Sequence, residues 1–301
     1  MLGRVTQRSI ATNALANLQN TQTRMAKLQD QITSGTSLPK GSTDSVRAAA
    51  ALRLNDQIAV NTENGRNLDE ARAWMTTQEP ALQSTTNALQ KIRELAVRAG
   101  NGALNETGRD AIAKEILALK ETILGDANTP YQGRAVFAGT RDTTTAFAPD
   151  ASATAAPRYS SSDDGGSLLR TISPGVTMTV NISGDSVYGG SITVFDELDD
   201  LAENVSRGNT TAVAGALSTI DKRITGATNA MAVIGARTNQ LDHAEEVNAN
   251  QLAYLEAQLD DVQGVDPAKA YVEFTQQNVA YQAALQVTAK TVQTSLLDFL
   301  R

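Results

Sequence analysis

Stepping by four and three residues alternately from Val213 leads through Leu217, Ile220, Ile224, Ala227, Met231, Ile234, Thr238, Leu241, Glu245, Asn248, Leu252, Leu255, Leu259 and Val262, and twelve of these fifteen positions are apolar. That period marks a helix with one buried seam. No proline interrupts it, and at 1.5 Å per residue about 50 residues extend roughly 75 Å, which predicts an elongated molecule. The seam is too narrow for a membrane span and needs partner helices laid alongside. Glu245 and Asn248 on the seam read as polar residues that set register.

Candidate partners come in chain order. Residues 9–34 place Leu18, Met25 and Ile32 seven apart, with Ala14 and Leu28 in the alternate heptad position. The other faces are amides and hydroxyls, so this helix leans on packing for its stability. Gly35, Pro39 and Gly41 end it. A second helix, capped near Ser42 to Ser45, carries Leu54, Ile58, Asn61, Gly65, Leu68 and Met75 on one face. Pro80 either kinks this helix or, the favoured reading, sits in the first turn of a further one bearing Leu82, Leu89, Ile92 and Ala96. After a capping segment at 105–110, Ile112, Ile116, Leu119 and Ile123 mark another helix, closing at Gly125.

From Tyr131 onward, glycines and prolines punctuate short β-prone runs such as Val176 to Ile182. A short helix follows at Asp196 to Asn204. Beyond Pro267 the last helix carries Phe274, Tyr281, Leu285, Val292, Leu296 and Phe299, an apolar stripe that requires a cover. The fold class is therefore mainly α: a bundle of long helices, with paired terminal helices and a small inserted β-rich domain. The expected division is residues 1–40 with 268–301 as a terminal coiled-coil region, 41–139 with 196–267 as a helical rod, and 140–195 as the insert. Leu18, Met25, Leu28, Ile32, Phe274, Tyr281, Leu285, Val292, Leu296 and Phe299 are the candidate assembly interface.

Composition narrows the function. Aromatic residues are 4% of the 301, which suggests an aliphatic, alanine-rich core. Of the net charge of −7, residues 141–204 hold ten acidic and three basic side chains, whereas the first 40 hold five basic and one acidic. No basic stripe with interleaved aromatics is present, so no nucleic-acid partner is expected. The low charge of Asn13 to Gln31 argues against a membrane-surface helix. No apolar block suggests a cleaved secretory signal.

Candidate chemistry is sparse. There is no cysteine and one histidine, His243, which leaves no serine triad and no multi-histidine or cysteine metal site. His243 reads as an ordinary, partly exposed helix residue. The pairs Asp163-Asp164, Asp199-Asp200, Glu245-Glu246 and Asp260-Asp261 point in different directions on a helix and read as solvated surface. No phosphate-binding loop or dinucleotide fingerprint occurs. No catalytic residue, metal or cofactor is expected.

Four segments carry a family resemblance: Gln31-Ile-Thr-Ser-Gly35 with Gly41-Ser-Thr-Asp44; Ile92-Arg-Glu-Leu-Ala-Val97 with Gly100-Asn-Gly102; Ile234-Gly-Ala-Arg-Thr-Asn-Gln-Leu241; and Leu285 to Lys290 through Ser295 to Leu300. On these the chain resembles the flagellin superfamily across essentially its whole length. Tyr131 to Thr140 and Pro174 to Gly184 look most like the branch whose members join the flagellar hook to the filament. The resemblance implies a non-enzymatic structural protein of the bacterial flagellum, in a tubular assembly with the terminal helices innermost and the β insert outward. It implies as partners other copies of the chain, the other hook-associated junction protein, filament flagellin and an export chaperone, and as route the flagellar export apparatus. A filament flagellin, and more distantly a cytosolic coiled-coil adaptor, are the alternatives.

Overall fold

The structure is a computed structural model that describes residues 2–37, 45–102, 104–150, 152–153 and 155–299; the glycine and proline stops expected at Pro39 and Gly41, and the cap at Ser42 to Asp44, lie outside them. Five helices account for most of it: α1 (Leu2–Ser34), α2 (Ser45–Gly100), α3 (Glu106–Ala127) and, after an intervening segment, α6 (Thr210–Gln263), followed by α7 (Pro267–Phe299). The intervening segment holds β1 (Pro130–Tyr131), β2 (Arg134–Ala135), β3 (Phe147–Pro149), β4 (Tyr159–Ser161), β5 (Leu169–Ser173), β6 (Val176–Thr179), α4 (Gly184–Tyr188) and α5 (Val194–Arg207). The strands pair consecutively into three antiparallel two-stranded ladders. In the β5–β6 hairpin Ser173 faces Val176, leaving Pro174-Gly175 as the turn; Gly175 has φ +75°, which suits glycine after proline.

The helix predicted from the 213–262 seam is α6, and none of its fifteen seam positions is exposed. Val213, Ile220, Ala227, Ile234 and Leu241, each seven residues from the next, are buried. One expectation fails at Pro80, which lies inside α2 instead of opening a new helix. Proline lacks the N–H that would bond Thr76, but both residues are exposed, so water can take the freed carbonyl and buried Leu82, Leu89 and Ile92 hold the helix together. Elsewhere the caps are as the residue types suggest. Asn105 accepts from Gly108 N at 2.9 Å, and Thr193 with Asp196 forms a reciprocal capping box for α5.

The chain forms two compact units, residues 1–60 with 251–301 and residues 61–250. The large hydrophobic core lies wholly in the second. It is aliphatic along the helices, with Ile92, Leu95, Ile116 and Ile123 fully buried, but aromatic beneath the strands, contrary to the composition-based expectation. Phe137, Phe147, Tyr188 and Phe195 meet edge-on or stacked, with centroids 5.3 to 6.1 Å apart. Strands of two to five residues bury little area, so a few large rings close that layer. Tyr188 also bonds Thr85 of α2 at 3.1 Å, and Asn128 binds the backbone of Ala146 and Phe147, so the insert packs on the helices as one body.

Candidate assembly interface

Helix α1 presents Ala14, Leu18, Thr21, Met25, Leu28 and Ile32 at alternating steps of four and three, and among its described side chains these are the buried or half-buried ones apart from Gln31, which donates to the carbonyl of Ser37. On α7 the matching set is Ala270, Phe274, Gln277, Tyr281, Ala284 and Thr288. The two helices pack against each other. An antiparallel bridge joins Thr36, just past the end of α1, to Gly264, just before α7, so the pair runs antiparallel from that point. Asp266 caps α7 by accepting from the N–H groups of Ala268 and Lys269, with Pro267 at the first helical position.

That junction is a polar clasp. Ser37 N donates to Gln263 O at 2.6 Å, and Val265 N to Gly35 O at 3.2 Å. Arg47, at the start of α2, donates through Nε to Val262 O at 3.0 Å and through its second guanidinium nitrogen to Ser37 Oγ at 3.1 Å. A cation on the last carbonyls of α6 answers both their unmet bonds and the negative end of the helix dipole. Gly35, with φ +69°, supplies the left-handed turn.

The seam between α1 and α7 is thin. Among the described side chains of this unit only Leu18, Ala51, Leu54, Leu255 and Ala270 are buried and apolar, so the described part of each terminal helix buries one. Of the ten expected interface residues, Leu18 is buried and Met25, Leu28, Ile32, Phe274 and Tyr281 are half-buried, all on this intrachain seam. Leu285 stands 44% exposed on its flank. Val292, Leu296 and Phe299 lie on α7, with side chains outside the described part. A second α7 stripe was not foreseen: Val272, Val279 and Val287, with Ala283, lie on the side opposite the seam and are exposed. Spacing alone finds it once the seam-facing set is known. The outer face of α1 is uncharged for long stretches, with Thr23 and Thr33 turned back onto carbonyls four residues earlier.

Polar contacts fix the larger unit. Arg72 grips both carboxylate oxygens of Glu245 at 2.8 Å and also reaches Asp242, which raises the already high pKa of its guanidinium. Asn61 donates to Asn248 O at 3.3 Å, and a Cβ at Gly65 would lie 3.2 Å from the Asn248 amide. Of the seam's three polar positions, Glu245 thus joins α6 to α2 through its side chain, the role read from the sequence, whereas Asn248 meets α2 through its backbone carbonyl and Thr238 turns back onto Ile234 O. His243 is exposed. Among the described residues no cluster of three or more His, Cys, Asp or Glu could hold a metal, and no helix is long and apolar enough to cross a membrane.

The profile of the bacterial flagellin N-terminal helical region matches residues 5–142, and that of the C-terminal helical region matches residues 217–300. The chain belongs to the flagellin family. Flagellin from Bacillus subtilis is 26% identical over 99% of this chain and 100% of its own length. Flagellar hook-associated protein 3 from Salmonella typhimurium is 24% identical, covering 96% of this chain and 95% of that protein. In fold, the crystal structure of Xanthomonas campestris FlgL superposes with a TM-score of 0.62 at 15% identity, over 69% of this chain and 99% of that one. The family is one of structural flagellar proteins, and the terminal regions that both profiles describe contain the α1–α7 pair.

Proposed function

We propose that this chain is the junction component that joins the flagellar hook to the filament, secreted through the flagellar export apparatus and assembling without catalysis. The observation that carries the reading is its end-to-end likeness to hook-associated protein 3, joined to a FlgL-like fold. In this reading residues 1–40 with 268–301 form the assembly region, 41–139 with 196–267 the rod, and 140–195 the insert. The partners are further copies of the chain, the other hook-associated junction protein, filament flagellin and an export chaperone.

The thin α1–α7 seam supports a mechanical role. Over their described side chains the two long helices bury one apolar residue each, which gains little from pairing alone, and further burial against neighbouring subunits makes up the deficit. Val272, Val279 and Val287 offer an uncharged surface for that contact, and the exposed amides and hydroxyls of α1 pack without charge repulsion.

A strain lacking the gene should carry hooks without filaments, and the gene should restore them. A chain without residues 1–40 and 268–301 should keep a folded helical unit by circular dichroism and fail to attach. The likeness to Bacillus subtilis flagellin supports a second reading, a filament subunit. Purified chain growing by itself into long fibres would favour that reading and remove the first.

A further inference from the structure

Asparagine or aspartate is followed by glycine at three places, Asn64-Gly65, Asn101-Gly102 and Asp164-Gly165. Glycine has no Cβ to shield its N–H, so in such a step the nitrogen can attack the side-chain carbonyl before it and close a five-membered ring, provided the backbone can turn and both groups are free. The fold treats the three steps differently.

Asn64 and Gly65 lie well inside α2, and the Asn64 side chain is buried. In a helix interior the glycine N–H is bound to the carbonyl four residues back, and a Cβ at Gly65 would lie 3.2 Å from the Asn248 amide, so the backbone has no room to turn. Asp164 is exposed, but its carboxylate accepts from Thr140 N at 2.8 Å and Gly166 N at 2.9 Å, and Gly165 N donates to Asp163 Oδ1 at 3.0 Å. Carbonyl and nucleophile are both occupied there. Asn101-Gly102 has neither protection. It directly follows the last residue of α2, both residues are exposed, Gly102 has φ +68°, and nothing stands within 4 Å of where its Cβ would be. Among the described residues no hydrogen bond holds the Asn101 amide or the Gly102 N–H, and backbone just past a helix end opens at little cost.

We propose that Asn101 is a site of spontaneous deamidation whose selectivity over Asn64 and Asp164 is set by the fold. The Gly102 nitrogen bonds to Asn101 Cγ as the Cγ–Nδ2 bond breaks; ammonia leaves with the proton that the Gly102 nitrogen gives up, and a succinimide remains. Water then opens the ring at either carbonyl. Cleavage at Cγ gives aspartate, and cleavage between the Asn101 main-chain carbonyl carbon and the ring nitrogen gives isoaspartate. Each converted chain gains a negative charge just beyond α2, at the negative end of its dipole, and isoaspartate also lengthens the main chain in the turn towards α3.

The test keeps full-length chain, native and in urea, at mildly alkaline pH for several days, then maps peptides by mass spectrometry and labels isoaspartate with isoaspartyl methyltransferase. In the native protein Asn101 should convert at least roughly tenfold faster than Asn64, and no isoaspartate should form at Asp164. In urea, where the helix and the hydrogen bonds are gone, the Asn64 and Asn101 rates should agree within about threefold and isoaspartate should appear at Asp164. Gly102→Ala should slow conversion roughly tenfold, and Asn101→Gln should remove the acidic species that isoelectric focusing finds in aged wild type. No conversion at Asn101 in the native chain, or Asn64 converting as fast as Asn101 there, would overturn the proposal. A lag at Asn64 that persists in urea would overturn the fold as its cause and leave the flanking residues in its place. An undiminished rate in Gly102→Ala would overturn the ring-closing route. None of these outcomes depends on whether the chain is a junction or a filament subunit.

Discussion

Lys120 offers the sharpest test of how the larger unit is held together. Its Nζ lies 2.7 Å from the Tyr159 hydroxyl and 2.7 Å from Asp199 Oδ1, tying α3 to β4 and α5, and its side chain is 9% exposed. Glu121, at 3.3 Å, is mostly solvated and adds little. Removing one partner of a buried ion pair costs about 3–5 kcal/mol; because water reaches Asp199 from one side, Asp199→Asn should cost about 2–3 kcal/mol. Lys120→Met should cost less, about 1–2 kcal/mol, since it keeps the volume and leaves Asp199 facing Arg158 at 3.7 Å. The double variant should fall short of the sum by about 1–2 kcal/mol, read as shifts in urea midpoint at constant slope.

Burial alone would depress the Lys120 pKa, but hydrogen bonds to Asp199 and Tyr159 outweigh it and raise it. A raised lysine contributes fully below its unfolded pKa of about 10.4 and loses that contribution as pH climbs through the folded value. The coupling should therefore hold from neutral pH to about 10 and fade above. Additive single-variant effects at pH 7 would refute the reasoning.

Other consequences can be checked separately. Leu241→Ala, at a fully buried seam position, should cost about 3 kcal/mol in thermal or urea unfolding. The Asp164 carboxylate, bonded by the Thr140 hydroxyl and N–H and by Gly166 N, is held down to about 2, so its contribution is present above the ordinary aspartate range and is lost as pH falls towards 2; carbon-detected NMR titration should find that midpoint, and Thr140→Ala should raise it. Arg47→Ala should speed amide exchange at Gly264 and Val265 with little change in the larger unit, because it removes bonds at the clasp. Val279→Glu, on an exposed face, should leave monomer melting within about 0.5 kcal/mol of wild type and abolish attachment to hooks.

Periodicity alone determined a good deal. The α6 seam, the heptads of α1 and the Asn105 cap were all legible, because burial along a long helix repeats with the helix itself and capping is settled within one turn. The register role of Glu245 was legible too, since a polar residue on an apolar seam has few other uses, while Asn248 meets α2 through a backbone carbonyl that its side-chain type does not determine.

What needed the tertiary structure depends on residues far apart in the chain. Pro80 stays helical because the packing of Leu82 and Leu89 outweighs a local preference, and four rings scattered from 137 to 195 meet in one cluster that an aromatic content of 4% gave no reason to expect. Arg47 reaches Val262 across 215 positions of sequence, and Asn64 and Asn101, each followed by glycine, stand apart through what the fold places around them. A side chain's partners across the fold are set by how the elements pack, and neither helical period nor composition encodes that.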